Sequence, residues 1–172
     1  MAKEPTKHMD QELREKILEE NRKVHAMESA LYLARHPEQT NCYQDRLLHD
    51  MIEKVCGLLP GGAQSHILDL GCGTGYLYLP FLACGYHMQG VDLSAELICI
   101  LEKMVPQNFK ANSHLQVADV LEFAERDKTL YDAVVLSALL HHLFDYDQLI
   151  KTYCGKIKPG GVMLIFFEPL KQ

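Results

Sequence analysis

Three glycines at alternate positions, Gly71, Gly73 and Gly75, follow the apolar run His66-Ile67-Leu68-Asp69-Leu70 and stand where a helical pattern begins. Glycine permits a sharp strand-to-helix turn, the missing Cβ lets a ligand approach the main chain, and the next helix offers free N–H groups. Together they make a cradle for a cofactor. The dinucleotide fingerprint continues with a further glycine or alanine, but here Tyr76 and Leu77 follow Gly75, which argues against a nicotinamide oxidoreductase. A second candidate is the pair His141 and His142, within Leu139-Leu140-His141-His142-Leu143. Imidazole exchanges protons near neutrality, so one of them could serve as general base for a hydroxyl or amine. Adjacent histidines on a helical turn should point apart, leaving at most one facing a site; the alternative is an ordinary surface or half-buried histidine.

Four more segments follow in order: Gly90-Val91-Asp92-Leu93-Ser94, Val117-Ala118-Asp119-Val120, Tyr131-Asp132-Ala133-Val134-Val135-Leu136-Ser137 and Ile157-Lys158-Pro159-Gly160-Gly161-Val162. With Leu68-Asp69-Leu70-Gly71-Cys72-Gly73-Thr74-Gly75, they resemble the successive motifs of the class I S-adenosylmethionine-dependent methyltransferases of the small-molecule type. The resemblance implies an α/β, Rossmann-like, mostly parallel sheet with helices on both faces. It also implies S-adenosyl-L-methionine as cofactor and a small-molecule acceptor, with a protein acceptor the lesser option.

Residue roles follow from the same resemblance. Gly71, Cys72, Gly73 and Gly75 would place backbone against the methionine tail and ribose, and Asp69 would hold the amino end. Asp92 would accept both hydroxyls of the ribose diol, with a turn aspartate before Ser94 as the alternative. Leu93 would pack on the adenine. Asp119 would accept from the adenine amino group beside the Val120 N–H, unless it only caps a helix. Ser137 would line the methionine side or the acceptor, or merely close a turn. Upstream, Tyr32 and Arg35 in Tyr32-Leu33-Ala34-Arg35-His36-Pro37-Glu38 are candidates for a lid.

The elements that must position these residues are visible as pattern. Leu13, Ile17, Val24, Met27 and Leu31 gather on one face of a helix over Asp10–Arg35, with Glu12, Arg14, Glu15, Lys16, Glu19 and Glu20 on a solvated face. A second amphipathic stretch over Cys42–Leu59 carries Leu47, Met51, Ile52, Val55 and Leu58 and ends at Pro60-Gly61-Gly62. Short apolar runs then alternate with helical segments, the signature of βαβ units. Strands are expected at Ser65–Leu70, His87–Asp92, His114–Ala118, Tyr131–Ser137 and Val162–Phe167, and helices at Tyr76–Cys84, Ala95–Met104, Val120–Arg126 and Tyr146–Lys156. Ser94 suits an N-cap, with Glu96 complementing the helix dipole. Pro80 must kink its helix or delay its start. Residues 1–62 read as a helical cap or flank and 63–172 as the α/β core, together one compact domain.

Composition bounds the rest. With 48% hydrophobic residues, 172 residues can bury a core without disulfides, and the six scattered cysteines show no CxxC pair, so reduced core thiols are expected and no metal site. A formal charge of -6 opposes nonspecific attraction to nucleic acid. No apolar run approaches a spanning helix, so a cytoplasmic protein is expected. The family's sheet continues past its fifth strand with a helix and a C-terminal hairpin, whereas this sequence stops at Gln172. A fragment or a naturally short form would leave that strand's edge for a partner chain to cover. A catalytically inactive cofactor-binding subunit is the alternative function.

Overall fold

The computed structural model describes residues 15–16, 19–20, 41–59, 61–143 and 145–168. Glu15, Lys16, Glu19 and Glu20 are helical and exposed, consistent with a solvated face; the remainder of the Asp10–Arg35 expectation lies outside the described residues.

Helix α1 (Cys42–Leu58) begins where Asn41 accepts the Tyr43 and Gln44 N–H groups through its side chain, satisfying two of the orphan donors of a helix start. Its inward stripe is Leu48, Ile52, Val55 and Leu59, spaced four, three and four. Leu47 and Leu58, expected on that face, are exposed instead, because the stripe is set by the surface that α1 covers.

The core then alternates. Strands β1 (His66–Leu70), β2 (His87–Asp92), β3 (Ser113–Val117), β4 (Tyr131–Ser137) and β5 (Ile157–Phe166) form one five-stranded sheet in the order β3-β2-β1-β4-β5, and each neighbouring pair is parallel. Between them lie α2 (Tyr78–Ala83), α3 (Ala95–Met104), α4 (Val120–Arg126) and α5 (Tyr146–Cys154). Side chains alternate across the sheet with a period of two. Ile67, Met88, Ala133 and Val135 join α1, α2 and α3 in one apolar cluster, while Leu68, Leu70, Val134 and Leu136 join α4 and α5 in the other. Both faces are therefore covered, as a parallel sheet requires.

Four expectations shift. Pro80 delays its helix: α2 starts at Tyr78, which puts the proline in the first turn, where its missing N–H has no intrahelical acceptor to leave empty. Helix α5 stops at Cys154 rather than Lys156. Strand β5 begins five residues early, because Ile157 pairs with Tyr131 before the chain bulges through Lys158–Gly161 and resumes with Val162 opposite Ala133. The cysteines are free thiols but not core thiols: only Cys72 is buried, Cys56 is half-buried, and Cys42, Cys84, Cys99 and Cys154 are exposed. Among the described residues, no helix is long and apolar enough to cross a membrane.

Candidate active site

The strand order reverses between β1 and β4, and in an open α/β sheet that switch point opens a crevice beyond the carboxyl ends of the strands. The glycine turn after β1 and, after β4, Ser137 and Ala138 line it, whereas His141 and His142 are not among its lining residues. Asp69, Gly71, Cys72, Gly73, Tyr76 and Ser137 all line one depression there.

The glycine turn is pinned to β2. The Gly71 and Cys72 N–H groups both donate to the Val91 carbonyl, at 2.8 and 3.1 Å, and the Gly73 N–H donates to Asp92 Oδ2 at 2.8 Å. Gly73 adopts φ +50, and a Cβ there would meet only the Gly71 carbonyl, at 4.0 Å, so that face is open. Gly75 differs: at φ +98, its Cβ would lie 2.5 Å from Leu101 Cδ1 and 2.9 Å from Leu79 Cγ. One glycine keeps the crevice clear; the other lets α2 and α3 close beneath it.

Asp92 is 7% exposed, and its second oxygen, Oδ1, accepts the Ser94 N–H at 2.8 Å. The carboxylate thus makes the turn contact named as its alternative role, while also gripping the glycine loop. A carboxylate offers about four acceptor positions, and these two bonds use one on each oxygen. Ser94 caps α3 by accepting the Leu97 N–H at 3.2 Å, as its position before the helix suggested. Leu93, half-buried, stands between them. The Ala118 N–H bonds the Asp92 carbonyl at 3.0 Å, which brings the β3 terminus alongside. There Asp119 caps α4, its Oδ1 accepting from Leu121 and Glu122 at 3.0 and 3.1 Å. Val120 opens that helix, at a position whose N–H has no intrahelical partner.

Asp69 points into the depression at 2% exposure, and its Oδ2 has no hydrogen-bond partner. Burial pushes its carboxyl well above the usual range, the nearby Asp92 charge adds to this, and the Tyr78 backbone N–H pulls the other way. Burial and the charges of Asp69 and Asp92 likewise push the Cys72 thiol up, keeping it protonated. The Tyr76 phenol oxygen is buried without a partner as well, with its ring stacked on Phe166 at 6.3 Å between centroids.

Beyond β4, Leu140–His142 forms a short 3-10 turn. Its histidines do not point apart: the His141 and His142 rings lie 4.0 Å from centroid to centroid, tilted by 41°. A 3-10 turn of about 3.0 residues sets neighbouring Cα–Cβ directions about 120° apart, so side-chain rotation, not backbone winding, brings the two rings together. His141 is the exposed member, with Nδ1 3.0 Å from Glu168 Oε2. Tyr32 and Arg35, the lid candidates, lie outside the described residues.

The sequence profile of a family described as "Methyltransferase domain" matches residues 38–168. This chain belongs to that family. The methyltransferase domain is 33% identical over 107 residues to a ubiquinone biosynthesis O-methyltransferase of Coxiella burnetii, covering 62% of this chain and 44% of that protein. It is 30% identical over 118 residues to the protein of the same name from Rickettsia felis, covering 69% and 47%. It therefore spans less than half the length of either relative. Among solved structures, a DhpI complex with SAM and HEP superposes with a TM-score of 0.65 at 21% identity over 86% of this chain and 64% of that one. Coclaurine N-methyltransferase superposes with a TM-score of 0.57 at 22% identity over 68% and 35%. These likenesses establish the fold, a Rossmann-like methyltransferase sheet.

The residues of the domain fit the donor that the motifs imply. An open glycine face, an acid at the tip of β2 and a buried acid at Asp69 with one unpartnered oxygen meet in one place. Two residues escaped the sequence reading. Tyr76 figures in the sequence as a break in the dinucleotide fingerprint and as a helix start, although a phenol directly after the third glycine is a signal in itself. Glu168 left no local signal, because its partners lie 27–29 positions away.

Proposed function

We propose that this methyltransferase domain binds S-adenosyl-L-methionine in the β1/β4 crevice and transfers its methyl group to a small-molecule acceptor bearing a hydroxyl. The observation that carries the reading is Asp92, which holds the open Gly73 turn at 2.8 Å beside the orphaned Asp69 oxygen. Bound there, the donor supplies a methyl group on a sulfonium, already activated with a good leaving group, so the protein's task is mainly positioning.

In this reading Gly71, Cys72, Gly73 and Gly75 present backbone to the methionine and ribose, and Asp69 accepts from the ammonium end. Asp92 accepts from the diol, Leu93 packs on the adenine, and Asp119 with the Val120 N–H reads the adenine edge. Ser137 and Tyr76 face the methyl-donating side. His141, rather than His142, takes the acceptor's proton, because its ring is the more exposed and has a carboxylate on Nδ1. Residues 1–62 supply acceptor walls, the names of the relatives motivate an oxygen acceptor, and free thiols suit a cytoplasmic setting. Strand β5 is an edge of the described sheet, so pairing with a partner chain belongs to the same proposal.

Isothermal titration with S-adenosylmethionine and with its demethylated product tests the pocket, and methyl transfer across a panel of phenols and catechols tests turnover. Saturable one-site binding with label transfer to an oxygen is expected. A folded protein that binds neither compound overturns the reading; binding without turnover favours a regulatory subunit.

A further inference from the structure

One carboxylate organises the whole turn after β4. Glu168 Oε1 accepts the Leu139 and Leu140 N–H groups at 2.6 and 2.8 Å, and Oε2 lies 3.4 Å from the His141 N and 3.0 Å from His141 Nδ1. The 3-10 turn has no side-chain cap of its own at Leu139, so an acid from the far end of β5 takes that place. The strain at this junction is local and paired. Ala138 and Phe167, each the first residue past its strand, adopt φ +52 and +54, and among the described residues they are the non-glycine residues with positive φ. Such conformations are strained for a residue with a Cβ and persist where surrounding contacts over-determine them. The Ala138 N–H to Phe166 carbonyl bond at 3.1 Å and the Glu168 clamp are those contacts.

The geometry points to Glu168 as the positioning residue that fixes His141 in the tautomer protonated on Nδ1, with the Nε2 lone pair presented to the acceptor hydroxyl. This rests on the proposed methyl transfer, and it adds how the base is oriented and charged. An Nδ1–H donating to a carboxylate leaves Nε2 as the basic nitrogen of a neutral imidazole, and a fixed anion beside the ring stabilises the imidazolium. As the acceptor O–H bond breaks, its electron pair stays on oxygen and the proton forms an N–H bond at Nε2, from which it returns to water. Burial raises the Glu168 carboxyl, but the bonds from His141, Leu140 and Leu139 outweigh it and hold the group below its usual range, so it stays anionic. Glu168, from beyond β5, and His142, from the same turn, both face the His141 ring.

The decisive measurement uses the unmutated chain. Long-range 1H–15N spectra of the histidine rings, above the imidazole titration, should show His141 protonated on Nδ1, the reverse of the preference of free imidazole side chains. The opposite tautomer overturns the assignment without any variant. Glu168→Gln keeps an oxygen for the turn and removes the charge. It should reduce the population of the Nδ1-protonated tautomer in the same spectra and lower kcat by about tenfold with donor affinity unchanged, while Glu168→Asp should recover part of both. An unchanged His141 tautomer and kcat in folded Glu168→Gln reduces Glu168 to a backbone clamp and overturns the proposal. The underlying reading fails differently: His141→Ala with undiminished methyl transfer removes the base, and loss of donor binding by the unmutated chain removes the pocket, whatever the tautomer.

Discussion

Asp92 Oδ2 accepts the Gly73 N–H at 2.8 Å, tying the tip of β2 to the glycine of the turn whose Cβ would meet no atom closer than 4.0 Å. The bond makes cofactor affinity and loop geometry a single property. In Asp92→Ala, the Gly73 and Ser94 N–H groups both lose their acceptor. Unsatisfied buried donors cost about 1–3 kcal/mol. A loss of that size in urea unfolding is expected, with donor affinity at least about tenfold weaker by calorimetry. Unchanged affinity in the folded variant would remove Asp92 from the site.

The glycines should separate by effect. Gly75→Ala drives a methyl against Leu101 and Leu79 at φ +98, and overpacking plus strain should cost about 2–4 kcal/mol. Gly73→Ala meets only the φ +50 penalty, about 1–2 kcal/mol, but fills the open face. The first variant is expected to lose mainly thermal stability and the second mainly donor binding. Equal losses of binding at equal stability would contradict this division.

Asp69 predicts an inverted pH response. Its folded pKa is raised above the ordinary value of 3.8, so the folded state holds the proton more tightly than the unfolded chain. The contribution to stability is fully present below about pH 4 and declines as pH rises through the raised folded value. Asp69→Asn removes this dependence. Without donor, the variant should be the more stable protein at pH 8 and lose that advantage below pH 4, read from unfolding curves across pH. A parallel profile for the two proteins would show that Asp69 titrates as an ordinary carboxyl.

Tyr76→Phe deletes a buried hydroxyl that has no partner, while keeping the ring on Phe166. Stability should change by less than about 0.5 kcal/mol, or rise. If the hydroxyl serves a ligand, the affinity for donor or acceptor falls by about fivefold to tenfold, the worth of one hydrogen bond. Equilibrium unfolding and calorimetry on the same preparation distinguish the two, and a destabilised variant would mean the phenol has a structural partner.

Local chemistry wrote most of this molecule into adjacent residues. The turn after β1 needs glycines, Ser94 is an N-cap because its hydroxyl reaches the Leu97 N–H, and Asp92 must end β2 because Ser94 and α3 follow it. These are contacts within a few positions, so residue type and spacing alone fix them. The same reasoning placed α3 and α4 with their observed ends and β1 within one residue. It missed the start of β5, where pairing with Tyr131 draws Ile157 into the sheet across an intervening bulge, and it put Leu47 and Leu58 on the wrong side of α1, whose buried stripe is chosen by the neighbours it covers.

The chain's own order of residues therefore determined the fold class, the strand-turn-helix cradle and the acids at the strand tips, since periodicity and turn stereochemistry act between near neighbours. Tertiary structure alone decided that Asp69 and Tyr76 would be buried with unpartnered oxygens, and that Glu168 would meet a turn 27–29 residues earlier. Burial and charge at a point depend on which distant segments converge there. Convergence follows from the β3-β2-β1-β4-β5 order of the sheet, which sets the ends of β4 and β5 side by side.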